Sequence, residues 1–420
     1  MPKAVENTYT NYCLPVINVK VRRIFMSKIK RRTIYITALI VALAYIIVGN
    51  RLNYQQIHLE GATGGGVTVS GKVTEVKNSQ LYSAEEYLHE GEETVFEAKT
   101  KNGIVTAGQY SDVYDQVDYK TVEVGDRVVL TSYDDGNTWT FAGYDRSFVL
   151  AAAVILFFAC LIVFGGVKGV NTILALLLTG GFVFGVFLPA VLAGKNIYFW
   201  TFMTCVMSIA TTMVIVHGVS KKTLGAIIGC ISGLGLCAVL MGIMINAASL
   251  SGMVDECYYY LSILDIGFTI DLRAVVFAGV LIGALGAVMD VSISIATSLW
   301  EIKEKGVPME VSDYFRSCLN IGRDIMGTMT NTLILAYIGT CLAEVLLLYA
   351  NNYNLLELVN REVVVVQIIQ SLIGSTGLLF TIPFTGLVCG LLFYDKYAFM
   401  DEETDEEFMP YVKNGEKKDV

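Results

Sequence analysis

The feature that most constrains this chain is a set of long, mostly apolar runs. An α-helix needs about 20 such residues to cross the roughly 30 Å hydrocarbon core of a bilayer. About eight runs meet that rule, near residues 33–49, 148–165, 171–193, 197–217, 223–246, 274–299, 325–350 and 363–394. Only 16% of residues are charged and 54% are hydrophobic, whereas soluble domains average roughly 25% charged. The expected fold is a polytopic α-helical membrane protein with about eight transmembrane helices, its membrane domain filling residues 148–394 after a first span at 33–49.

Charge is segregated along the chain, so the formal net charge of -9 decides little by itself. Residues 1–32 are basic, with Lys20, Arg22, Arg23, Lys28, Lys30, Arg31 and Arg32 ahead of the first span. Positive residues in short loops favour the cytoplasmic side. Alternating spans from there places Lys168, Lys221, Lys222, Lys303, Lys305, Arg316 and Arg323 inside, with the acidic tail 395–420. Only Lys195, Arg273 and Arg361 stay on outer flanks. Both termini are therefore expected to be cytoplasmic. No A-x-A-like cleavage site follows residue 49, so the first span reads as a retained signal-anchor. Met26 opens MSKIKRRTIYITALI, which itself looks like an N-terminus.

Residues 50–147 are the one sizeable polar block. VTVSGKVTEV, ETVFEAKTKNG, TVEVGDRVVLTSY and NTWTFAGYD alternate apolar and polar residues between Gly, Asn and Asp turns, which is strand patterning. A small extracytoplasmic all-β domain, barrel or sandwich, is expected after the first helix. DDG at 134–136 reads as a hairpin turn; a calcium loop would want more oxygen ligands at closer register. Residues 251–265 are too charged to cross and read as an interfacial helix, and 303–322 as a short polar, partly amphipathic connector. The nine cysteines are scattered singly without a CxxC, so neither a disulfide framework nor a metal site has supporting spacing. No basic patch interleaved with aromatics lies beyond the N-terminal run, which argues against nucleic acid. No cofactor is implied.

Polar residues inside the apolar runs carry the functional signal. GALGAVMDVSISIATSLWEI, residues 283–302, spaces Asp290, Ser294, Thr297 and Glu301 by 4, 3 and 4 residues, one stripe on a helix. Asp290 lies roughly 16 Å above Glu301 at 1.5 Å per residue, at bilayer depth, where a carboxylate costs roughly 2.5–3.5 kcal/mol. In the seventh span Asp324, Thr328 and Asn331 form a matching stripe. If the two spans are antiparallel neighbours, Asn331 comes level with Asp290 and Ser294. Gly283, Gly286, Ala287, Gly322 and Gly327 would allow close helix approach. Pro383, a plausible kink point, with Thr381, Thr385, Gln367 and Gln370, would add a wall from the eighth span. Glu301 and Arg323 mark the cytoplasmic mouth. This seam is either an ion or substrate pathway or a hydrogen-bonded clamp between helices.

At GALGAVMDVSISIATSLWEI and NIGRDIMGTMTNTLILAYIG the chain resembles the YibE/F-like family of bacterial membrane proteins, with support from GGVKG at 165–169 and HGVSKKTLGA at 217–226. The β-domain makes it more similar to the YibE type than to the shorter YibF type. The resemblance implies a multi-pass protein of the bacterial cytoplasmic membrane and no established activity, so no catalytic residue is carried over. Three functions remain open: a transporter or channel for a proton, small cation or small solute; an assembly or sensing protein using its outer domain, as a homo-oligomer or with a YibF-type partner; and an intramembrane enzyme. The last is disfavoured. No HExxH, GxSxG or GxGD occurs, and the only histidines are His58, His89 and His217.

Overall fold

The computed structural model describes residues 33–53, 66–83, 90–101, 103–112, 120–134, 136, 138–264, 267–305, 309–351 and 354–394. The basic and acidic termini, Met26, His58 and His89 lie outside the described residues. The chain divides into two compact units, His58–Gly169 and Met1–Ile57 with Val170–Val420.

In the first unit five strands close a barrel: β1 (Val67–Ser83), β2 (Glu90–Thr100), β3 (Gly103–Asp112), β4 (Arg127–Ser132) and β5 (Trp139–Tyr144). Their order is β1-β2-β3-β5-β4, all pairs antiparallel except β3 with β5, the strand order of an OB fold. The alternation read in the sequence sets its inside. Val73, Phe96, Ala98, Ala107, Val122, Val128 and Leu130 form the core, and neighbours such as Val73 opposite Ala98 and Phe96 opposite Ala107 share one face. Long β1 pairs with both β2 and β4, and register shifts after Val73 and Val76 let it curl between them.

The DDG turn is held by Asp134, whose carboxylate accepts from the Ser132 hydroxyl and from the Thr138 N–H and hydroxyl, each at 2.8 Å. The Thr138 N–H, foremost among these donors, holds its pKa down at about 2. Asp145 does similar work at the barrel's exit. It accepts from the Ser70 hydroxyl at 2.6 Å and from the Ser147 N–H at 3.0 Å. The Ser147 hydroxyl, first among its partners, helps hold the carboxyl at about 2.

Six described helices are long and apolar enough to cross a membrane, or seven if a bent pair counts as one span. They include α1 (Thr33–Asn53) and a 46-residue stretch, Ser147–Leu192. That stretch comprises α2 (Ser147–Phe182), a π-helical turn at Val183–Phe187 and α3 (Leu188–Leu192). The sequence divides it into two spans, 148–165 and 171–193. The structure breaks it at Gly166, whose φ of 53° and ψ of -129° are not helical. Only glycine adopts such a conformation readily. The chain turns sharply enough there that a Cβ on Gly169 would run into the Leu161 carbonyl.

The π turn has a local explanation. Widening a helix frees carbonyls from their usual donors, and α1 supplies replacements. Asn50 Nδ2 donates to Gly185 O at 2.9 Å and Asn53 Nδ2 to Val186 O at 3.4 Å.

The remaining helices are α4 (Ile197–His217), α5 (Lys221–Ala247), α6 (Glu256–Ser262), α7 (Leu272–Glu304), α8 (Val311–Thr340), α9 (Leu342–Ala350), α10 (Leu355–Asn360) and α11 (Glu362–Phe393). Side-chain caps start several of them: Asn196 accepts from Phe199 N, Ser220 from Thr223 N and Asp271 from Ala274 N. The expected connector at 303–322 is shorter than the sequence suggests. A capping box between Glu310 and Asp313 starts α8 at Val311, and Tyr314, Cys318 and Gly322, spaced by four, are buried along it. The run expected as the seventh span falls on α8 followed by α9, bent by 56°. The short α6 falls where the interfacial helix is expected, opened by Asp255 accepting from Tyr258 N.

Candidate functional site

The centre of the helical unit is a seam between α5 and α11. Gly225, Gly229, Gly233 and Cys237 recur every fourth residue on α5, and Gly377, Thr381, Thr385 and Cys389 do so on α11. The two rows meet antiparallel. A Cβ on Gly225 would strike Cys389, on Gly229 Thr385, on Gly233 Thr381, and on Gly377 Cys237. Small residues at this spacing let backbones approach to the limit of packing. The hydroxyls in the seam are satisfied: Thr381 donates to Gly377 O at 2.7 Å.

Helix α7 joins the seam through Ser292, which donates to Ala226 O at 2.7 Å and shares a 2.9 Å hydrogen bond with Thr385. Ser292 is fully buried, as is the rest of its face, including Leu281, Val288, Ala296 and Leu299. Helix α8 lies along another side of α11. Cys318 packs on Gly386 and Gly322 on Ile382, and Cys318 Sγ donates to Ile382 O at 3.0 Å.

The residues singled out in the sequence fall largely on the opposite faces. Asp290, Ser294 and Glu301 are exposed and Thr297 half-buried, away from the packed side of α7. On α8, Arg323, Asp324, Thr328 and Asn331 are exposed too. Thr328 donates to Ile325 O at 3.0 Å. Among the described residues Asp290, Glu301, Arg323, Asp324 and Asn331 have no side-chain hydrogen bond or ion pair.

Helices α7 and α8 do approach each other: Gly283 lies against the Tyr337 hydroxyl and the Gln370 amide, and Gly374 on α11 touches both Ala284 and Leu333. Asp290 lies two turns along α7 from that contact, about 10 Å. Gly283 and Gly322 therefore meet neighbouring helices, whereas Gly286 and Gly327 have nothing within 4 Å of where a Cβ would stand. Pro383 sits inside α11, which continues through it from Glu362 to Phe393. Thr381 faces α5, Thr385 meets both Gly229 of α5 and Ser292 of α7, and Gln367 and Gln370 are half-buried.

Sequence reasoning missed the α5–α11 seam and Ser292. The signal was present in GAIIGCISG at 225–233, a small residue at every fourth position. Near the lysine-rich helix ends a cavity of about 730 Å³ is lined by residues including Tyr35, Asn171, His217, Lys222, Trp300 and Glu304. It takes in part of the HGVSKKTLGA stretch, and Trp300 Nε1 donates to Glu304 at 2.7 Å on its rim.

A protein-family model described as YibE/F-like protein matches residues 153–395, more than half of the chain. The match begins after the barrel. No curated protein and no solved structure matches the chain.

Proposed function

The chain belongs to the YibE/F-like protein family, and on that premise we propose that it moves a proton, a small cation or a small solute across the bacterial cytoplasmic membrane. The path runs along the polar faces of α7 and α8. One observation carries this reading: Asp290, within an apolar helix, is exposed and has no side-chain hydrogen bond or ion pair among the described residues. A carboxylate there costs roughly 2.5–3.5 kcal/mol unless water, an ion or protein meets it. Lipid is the one neighbour it is unsuited to. Ser294, Thr297, Asp324 and Thr328 extend the polar line, with Glu301 and Arg323 at its inner end.

The topology that goes with this reading has eight spans and both termini in the cytoplasm. A straight helix through Ser147–Leu192 would be about 69 Å long, more than twice the roughly 30 Å core. The break at Gly166 supports treating it as two spans. The lysines and arginines then gather on one side, and the barrel lies on the other. We assign no chemical transformation to the chain.

Flux into liposomes tests the reading, using purified wild-type and Asp290→Asn protein with a pH and cation panel. Wild-type flux that falls at least tenfold in the variant, with membrane insertion unchanged, is the expected result. Equal flux from the two proteins would refute it. An assembly role is the second reading, favoured by the barrel forming a compact unit of its own. In that case deleting residues 52–145 abolishes function while Asp290→Asn does not.

A further inference from the structure

We infer that the β-barrel holds the phosphate of an anionic lipid headgroup, on a row of cations that three strands set beside the start of α2. The site lies within the barrel's own compact unit, His58–Gly169, and is independent of the path along α7.

Strand register builds the row. Lys72 of β1 stands directly opposite Lys99 of β2 and, on its other side, directly opposite Arg127 of β4. Directly opposed residues share one face of a sheet. Here it is the outer face, because the next residue along each strand, Val73, Ala98 or Val128, is in the core. Neighbouring strands lie about 4.8 Å apart, so the three cations stand in a row about 10 Å long. Like charges directly opposite one another destabilise a sheet unless something of opposite sign meets them.

The chain does not supply that partner. Lys72, Lys99, Arg127 and nearby Lys101 are exposed, and among the described residues none has a side-chain hydrogen bond or an ion pair. Elsewhere on the barrel, Lys77 pairs with Glu97 and Lys120 with Asp126. An open cavity of about 350 Å³ is lined by all four unpaired cations and by one acid, Asp145. Asp145 is already engaged, accepting from the hydroxyls of Ser70 and Ser147.

Position selects the anion. The Arg127 guanidinium lies over the Phe148 ring, 5.9 Å from its centre, in the first turn of α2. From Phe148 onward no charged residue occurs before Lys168, and Phe148, Val149 and Leu150 are exposed. Such a helix enters hydrocarbon at its first turn, which sets the cation row at the level of the headgroups. A headgroup phosphate offers several oxygens to several cations at once, and clustered Lys and Arg at a bilayer surface favour anionic lipids.

Amide hydrogen exchange of the full-length protein tests this, in nanodiscs of phosphatidylcholine with and without phosphatidylglycerol. Phosphatidylglycerol should slow exchange at 71–73 and 99–101 at least threefold and leave 105–107 of β3 unchanged. In Lys72→Gln/Lys99→Gln/Arg127→Gln the slowing should vanish, with an unfolding midpoint no lower than that of wild type. Lys72→Glu sets a carboxylate between Lys99 and Arg127. It should slow exchange at Lys99 in both lipids and abolish the response to phosphatidylglycerol. Lys77→Gln, which removes a paired cation, should keep the response. Wild type that shows no slowing overturns the inference, as does slowing that persists in the triple variant or is lost equally in Lys77→Gln. Slowing that inorganic phosphate reproduces in phosphatidylcholine alone also overturns it, since the ligand is then a soluble anion.

Discussion

Two regions of the helical unit use the same residue types at the same spacing and reach opposite outcomes. On α5 and α11, glycines and hydroxyls at every fourth position find each other, and a Cβ has no room at Gly229 or Gly233. On α7 and α8, Gly286, Gly327 and a set of polar residues at helical spacing face outward instead, with nothing within 4 Å of a Cβ at either glycine. The contrast teaches that a small-residue stripe tells only that something can come close. Whether the neighbour belongs to the same chain is decided by which faces the other helices have already taken. Here α11 is the hub: α5, α7 and α8 all pack on it, and the faces of α7 and α8 that point away from it keep the charges.

The largest expected effect breaks the closed seam. Gly233→Leu would drive a side chain into Thr381 and the Gly377 carbonyl, and should cost about 3 kcal/mol as a lowered unfolding midpoint in detergent. Gly286→Leu, on the open face, should change that midpoint by no more than about 0.5 kcal/mol. Similar losses at both positions would erase the distinction between the regions.

A smaller effect comes from the hydroxyls. Ser292→Ala removes the donor to Ala226 O and the Thr385 contact, for about 1 kcal/mol in the same assay. Ser294→Ala, two residues on and exposed, should be near neutral for folding and show itself in flux.

Acid sharpens the comparison with the smallest, most local change. Asp134 has its pKa lowered from 3.8 to about 2. Its stabilisation of the barrel turn is therefore complete above 3.8 and is lost as pH falls through about 2. Hydrogen exchange at Thr138 should quicken across that window, and Asp134→Asn should remove the pH dependence. The α5–α11 seam has no carboxylate among its eight paired positions, Gly225 to Cys237 and Gly377 to Cys389 at every fourth residue, so exchange there should show no matching change.

Much of this architecture was legible in the sequence. The apolar runs at 33–49, 197–217, 223–246, 274–299 and 363–394 are helices because length and hydropathy leave little alternative. The alternation in RVVLTS became β4 with Val128, Leu130 and Ser132 turned inward. Helix α8 was harder. Ser312, Asp313, Arg316 and Asn320 dilute its hydropathy, while its buried residues Tyr314, Cys318 and Gly322 include one tyrosine and one glycine, weak signals in a hydropathy window. The stripe through Asp290 could be read from spacing, but spacing gives a direction around one axis only. That Ser292, and not Asp290, points at α11 depends on where a helix almost a hundred residues later comes to rest.

The widened turn at Val183–Phe187 has a consequence of its own. Geometrically it is one surplus residue, and a residue more or less swings everything after it by about 100° around the axis. Deleting one there would restore an ordinary helix but re-aim Pro189, Ala190 and Val191, all now inward, and strand the amides of Asn50 and Asn53. The first helix thus acts as a clasp on this fixed azimuth, and a change in either element would call for a matching change in the other.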